Sequence, residues 1–280
     1  MKEKVKSGNN NRGFIGVFDS GFGGLEILRE IVRVLPEYDF VYLGDSARAP
    51  YGNRPQKQVY EFTKQAVNFL FNAGAELIIL ACNTVSAEAL RKIQQEYLPK
   101  NFPGRRVLGV IIPTCQAATE LGAENIGVIA TKNTVASGAF IREIKKLNPA
   151  AKIFQNATPL LVPLIEKGAI NSQKTNGALR GYLTPLLKEN IDVLILGCTH
   201  YGLLKPRIKK MSGTKIKLVS EGRIVAEKLK NYLLRHPEID GRLGKSRKIK
   251  VLTTGQLQKF KRLGGKFFQR EIFPEKIDLN

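Results

Sequence analysis

The chain has no tryptophan, and only two histidines, two methionines and three cysteines in 280 residues. Three cysteines without a CxxC pair exclude a disulfide framework and a structural zinc cluster, and they suit a reducing compartment. A cytoplasmic protein with no metal centre is therefore expected, and the missing CxxC disfavours a thiol redox protein. No apolar run approaches the ~20 residues that span a bilayer, so no membrane role is expected. Met1 to Asn11 lacks the apolar stretch of a secretory signal, and residues 1–12 read as a disordered basic leader. Acidic residues are scarce: 24 Asp plus Glu stand against 45 Lys plus Arg, a net charge of +21. That balance fits nucleic-acid contact, or a basic surface that aids solubility and draws in small anions. With no Trp and no aromatic-interleaved basic stripe, single-strand binding is disfavoured.

Against these absences, 43% of the chain is hydrophobic, enough for two cores. The most informative stretch is Asp192 to Tyr201, DVLILGCTHY. Four branched or linear aliphatics read as a short buried strand, and a thiol, a hydroxyl and an imidazole follow it directly. In open α/β sheets, crevices outside such strand ends bind ligands. A second stretch, Glu76 to Thr84, ELIILACNT, falls under the first acid on acid, aliphatic on aliphatic, and Cys82 on Cys198. Phe14 to Ser20 likewise echoes Asn125 to Thr131. The two echoes imply two related α/β halves, each offering one thiol near a common axis; chance similarity between apolar strands is the alternative.

Strands alternate with helices along the rest of the chain, which implies mainly parallel sheets with covered faces. Phe14 to Phe18, Asp39 to Leu43, Arg106 to Ile112, Ile126 to Ala130, Ile216 to Val219 and Ile249 to Thr253 read as further strands. Asp19-Ser20-Gly21-Phe22-Gly23-Gly24 is a glycine-rich turn whose amides, at a helix start, are free for an anion. Its spacing is not the GxGxxG of dinucleotide folds. Gly44 to Gly52 is too rich in Gly, Pro and polar groups to be regular and reads as a loop over a site. Pro99 to Gly104 breaks the pattern and marks the crossing into the second half.

Two thiols across a cleft can invert a carbon centre: one thiolate takes a proton while the opposite thiol supplies one. Neighbours and helix N-termini are expected to lower one thiol pKa so that thiolate and thiol coexist near neutrality. His200, two residues from Cys198, is the candidate proton manager for that wall; the alternative is an ordinary histidine at a helix start. Asp19 is the candidate for the Cys82 wall, although its charge would raise the thiol pKa, so it orders the thiol or relays its proton. Asn83, Thr84 and Thr199 are candidate donors to a substrate α-carboxylate. Cys115, whose flanks lack the shared echo, reads as a buried small residue.

The strings FDSGFGG, GDSARAPYGNRP, ACNTVSA and LGCTHYGLL, in this order, resemble the glutamate racemases of the aspartate/glutamate racemase family over about residues 13 to 265. The resemblance implies two pseudo-symmetric α/β domains with the active site in the cleft between them. It places the first domain at 13–103 plus 212–280 and the second at 104–211. It implies interconversion of L- and D-glutamate for peptidoglycan without a cofactor, by a homodimer. Cys82 and Cys198 are then the acid–base pair, aided by Asp19 and His200. Asp19, Ser20, Tyr51, Gly52, Asn83, Thr84, Thr199 and His200 line the substrate pocket, and Glu166 supports His200. Within the class, an aspartate racemase is the rival, and His200 favours glutamate because the aspartate enzymes usually carry Glu there. A second role in gyrase or nucleic-acid contact is the other alternative. Gly202 stands where the family usually has Pro, Thr114-Cys115 replaces small residues, and Ser220-Glu221 replaces Asp-Ser.

Overall fold

A computed structural model describes residues 12–279; the expected leader falls almost wholly outside them. Among the described residues, ten strands form two sheets. In chain order they are β1 Phe14–Asp19, β2 Phe40–Gly44, β3 Ala75–Leu80, β4 Arg106–Gly109 and β5 Asn125–Ala130. They continue as β6 Lys152–Ala157, β7 Val193–Gly197, β8 Lys217–Val219, β9 Ile249–Thr253 and β10 Pro274–Lys276. The first sheet runs β10-β9-β2-β1-β3-β4 and the second β6-β5-β7-β8, and every pairing is parallel. Parallel strands covered by helices on both faces must be apolar throughout, which is why β3 and β7 read as unbroken aliphatic runs.

The internal duplication is written into the strand register. In the first sheet Ile15, Gly16, Val17 and Phe18 of β1 pair with Leu77, Ile78, Ile79 and Leu80 of β3. In the second, Ile126, Gly127, Val128 and Ile129 of β5 pair with Val193, Leu194, Ile195 and Leu196 of β7. These are the positions that the two sequence echoes place in correspondence. A shift of one residue would turn every side chain to the opposite face, so agreement over four successive pairs is a demanding match.

The expected boundaries at 104 and 212 do not follow the sheets. β4 was expected in the second half but pairs with β3, adding an edge strand to the first sheet before the chain crosses. β8 pairs with β7 in the second sheet. The return comes after it, in the helix Glu221–Arg235, which packs on the helix Gly24–Val34 of the first half. The strand expected to run from Arg106 to Ile112 ends at Gly109, and Ile111–Glu120 is a helix with Pro113 in its first turn, where no backbone donor is needed. Cys115 therefore lies inside a helix, not after a strand. It is fully buried against Ile111, Ala118, Ile126 and Phe140. The edge strands β6 and β10 had no clear pattern in the sequence; β6, with Lys152, Gln155 and Asn156, is only half-buried.

Candidate active site

β1 and β3 of the first sheet and β5 and β7 of the second end at one cavity between the halves. Ser20 and Gly21 follow β1, Cys82 to Thr84 follow β3, Thr131 and Lys132 follow β5, and Cys198 to His200 follow β7; all line it. Cys82 sits in extended conformation at the start of the helix Asn83–Glu88, and Cys198 likewise precedes the turn Thr199–Leu204. The thiols are 7% and 8% exposed, so each reaches the cavity while the rest of its surface is packed.

The surroundings of the thiols differ. Cys82 Sγ lies 3.4 Å from Ser20 Oγ. Cys198 Sγ lies 3.8 Å from His200 Nδ1, and His200 Nε2 lies 3.3 Å from Glu166 Oε1. The imidazole also meets the Phe267 ring edge-on at 5.4 Å between centroids. A sulfur, an imidazole and a carboxylate thus form a line in which the carboxylate fixes the tautomer and orientation of the ring. Gly23 makes this arrangement possible: a Cβ there would fall 2.3 Å from Thr199 Oγ1 and 2.9 Å from His200 Nδ1.

Asp19 is fully buried and is not among the cavity-lining residues. Its carboxylate accepts from the Gly21 amide at 2.8 Å and from Thr199 Oγ1 at 3.4 Å, a bond between the two halves behind the wall. Burial raises its pKa against the opposing pull of His200. Burial likewise pushes the Cys82 thiol up from 9.0 to about 11, with the Asp19 charge as the next cause. The Cys198 thiol is also held well above its usual range, chiefly by burial and secondarily by Cys82 and Asp19, against a backbone hydrogen bond at His200. The expected lowering by helix starts is therefore not found: desolvation outweighs the local amides, and both thiols are shifted toward the protonated form.

The loop over the site comes from Gly44 to Gly52, as its composition implied. Tyr51 and Gly52 line the cavity, but the Tyr51 hydroxyl is committed to Asp45, which also accepts from Arg48 Nε at 2.6 Å and Thr254 Oγ1 at 2.7 Å. Tyr51 thus contributes a ring face and shape rather than a free donor. Asn133 of the second half clasps the loop by donating to the Tyr51 and Arg54 carbonyls at 3.3 and 2.6 Å. Thr84 Oγ1 lies 3.0 Å from Thr131 Oγ1, a further bridge between the halves. The peptide bond between Ala49 and Pro50 is cis.

All the residues expected in the pocket line it except Asp19, and Glu166 lines it as well as touching His200. Sequence reasoning missed Thr131, Lys132, Thr158, Val162 and Pro163, among others. Thr131 was within reach, because the echo that matches the first strands of the halves sets it opposite Ser20. The others have no counterpart in the echoes: Thr158 follows β6, Lys132 opens the helix Lys132–Ala136, and Val162 and Pro163 lie in the helix Leu161–Glu166. No group of three or more candidate metal ligands occurs among the described residues.

Fold and cavity together define a two-domain α/β protein that presents one thiol from each of two duplicated halves. The chain belongs to the Asp/Glu/Hydantoin racemase family, an isomerase family, whose description matches residues 15–229. It is 39% identical to a glutamate racemase from Streptococcus pneumoniae over 95% of this chain and 98% of that one. The structure superimposes on a Francisella tularensis glutamate racemase in complex with D-glutamate with a TM-score of 0.86 and 33% identity, covering 97% of this chain and 99% of that chain. A Bacillus anthracis glutamate racemase isoform gives a TM-score of 0.87 and 33% identity, with 95% and 98% covered.

Proposed function

We propose that this chain is a glutamate racemase that interconverts L- and D-glutamate by carrying the α-proton between Cys82 and Cys198. The observation behind this is that sulfurs from corresponding positions of the two halves line a single cavity, in a chain 39% identical to a glutamate racemase. One Sγ, as thiolate, takes the proton from one face of the α-carbon. The opposite thiol gives its proton to the other face, and the bond lost on one side is replaced on the other. The net proton count is unchanged, and the roles of the sulfurs are exchanged for the return direction. The substrate ammonium brings a positive charge beside the sulfurs and favours one thiolate. On one wall, His200 Nδ1 receives the Cys198 proton, and Glu166 stabilises the imidazolium. On the other, Ser20 orients the Cys82 thiol while Asp19 holds the turn that carries Ser20. Asn83, Thr84 and Thr199 bind the substrate carboxylates, and Tyr51 and Gly52 close over them.

The proposed reaction calls on no cofactor. We extend it to a cytoplasmic homodimer whose D-glutamate supplies peptidoglycan, which predicts D-glutamate auxotrophy on loss of the gene. The enzymatic test is racemisation in deuterated water started separately from each enantiomer. Deuterium is expected at Cα of the product from both sides, and Cys82→Ala and Cys198→Ala are each expected to abolish turnover. Normal racemisation by both variants would remove the mechanism, and faster inversion of aspartate than of glutamate would move the chain to the rival substrate.

A further inference from the structure

Behind the Asn83 wall lies a carboxyl for which the proposed reaction has no use. Glu221 opens the helix Glu221–Arg235, is 4% exposed, and is not among the residues that line the cavity. Its Oε2 accepts from Asn83 Nδ2 at 2.8 Å. Glu221 Oε1 and Asn83 Oδ1, both buried, have no hydrogen-bond partner among the described residues. Two unpaired polar atoms at one contact are unfavourable away from water. A half-turn of the Asn83 amide exchanges its oxygen and nitrogen, and a protonated Glu221 can then donate to Oδ1. An ionised Glu221 can only accept, so it keeps the amide NH2 turned toward itself.

The surroundings favour the protonated form. The titratable groups coupled to Glu221 through charge are Asp19 at the end of β1, Glu26 on the helix Gly24–Val34, Cys115 and Cys198; the Glu30 stem packs beside Gly222, and the Lys205 ammonium donates to the neighbouring Ser220 Oγ at 2.9 Å. Burial holds the Glu221 carboxyl well above the usual carboxylate range; Glu26 and Asp19 add to the effect, and the Asn83 bond opposes it. Glu26 itself is held close by the turn that follows Cys198. A Cβ at position 202 would fall 1.7 Å from Glu26 Oε2, so the glycine leaves room for that carboxylate, which in turn acts on Glu221.

We infer that Glu221 is a positioning residue whose proton decides which end of the Asn83 amide is turned away from it, and hence whether that side chain offers the substrate a donor or an acceptor. The inference rests on the glutamate racemase reading, in which Asn83 serves a carboxylate. Neutral Glu221 frees the NH2 for that carboxylate. Loss of its proton turns the NH2 back toward Glu221 and weakens substrate binding.

The test follows the Asn83 side-chain NH2 resonances by NMR in 15N-labelled protein, identified by their loss in Asn83→Asp, alongside KM and kcat for D-glutamate from acidic to alkaline pH. In the wild type the resonances are expected to move with pH, and KM to rise as Glu221 loses its proton. Glu221→Gln supplies a permanent donor, so both profiles flatten while KM stays at the low-pH value. Glu221→Met removes the donor and raises KM roughly tenfold with kcat changed much less. Resonances that stay still in the wild type, or that move equally in Glu221→Gln, would overturn the inference. The two readings fail separately: a protein that does not racemise glutamate but whose Asn83 amide titrates with Glu221 loses the function and keeps the linkage. Racemisation with an unresponsive amide does the reverse.

Discussion

Replacing Asp19 with Asn should make Cys82 a stronger acid. In the wild type this thiol is displaced from 9.0 to about 11, by burial first and by the Asp19 charge second. Two pK units correspond to roughly 3 kcal/mol against the thiolate, which leaves on the order of one molecule in 10,000 ionised at Cys82 at pH 7. A carboxylate near a titrating group typically moves it by ~1–3 units, and burial, the larger cause here, remains in the variant. A drop of about 1 unit is therefore expected, with roughly tenfold more thiolate at any pH below the titration. The assay is the pH dependence of iodoacetamide alkylation at Cys82 in a Cys115→Ala/Cys198→Ala background, with and without Asp19→Asn, with mass spectrometry counting the adducts. An unchanged or higher apparent pKa in Asp19→Asn would refute the account of the Cys82 wall.

The raised Cys82 pKa also fixes a direction for stability. A thiol that holds its proton more tightly when folded contributes stability that is present below about 9 and lost as pH rises through about 11, up to roughly 3 kcal/mol; urea denaturation across that window should show a steeper alkaline loss in the wild type than in Cys82→Ala. Gly23→Ala forces a methyl against Thr199 and His200, and should lower turnover more than tenfold at a cost of ~1–3 kcal/mol in stability, read by kinetics and melting. Glu166→Gln should lower kcat/KM by roughly ten- to a hundredfold, and equally from L- and D-glutamate because enantiomers are equally stable; unchanged rates would remove the carboxylate from the His200 line. The +21 charge predicts weak DNA affinity that falls steeply with salt, and tight, sequence-selective binding at physiological ionic strength in a filter assay would reinstate the nucleic-acid role.

Much of the architecture was legible because parallel strands buried on both faces must be apolar, so β3 and β7 announce themselves and carry their thiols to the rim. Two of the edge strands were not legible for the same reason reversed: β6 is half-buried and β10 spans three residues, so neither needs a pattern. The crossing between halves was misplaced because a break such as Pro99 to Gly104 shows that a helix ends, not which sheet the next strand joins. In the site, chemistry-bearing residues adjoining strong strands were found. Wall residues such as Val162 and Thr158 are ordinary in type and gain their place only from tertiary packing. The thiol acidities went astray because local sequence displays the helix start but not the depth of burial, and burial decided the sign.

The second sheet is inserted within the first along the chain, with consequences for the order of assembly at the ribosome. β5 to β8 are all synthesised before β9, so the inserted sheet has its full set of strands while the outer side of β2 still awaits its neighbour. Until residues 249–253 emerge, Phe40–Gly44 carries an open row of backbone donors and acceptors, the kind of edge through which nascent chains adhere to one another. Truncation before Ile249 should therefore yield an insoluble product even though every residue around the two sulfurs has already been made.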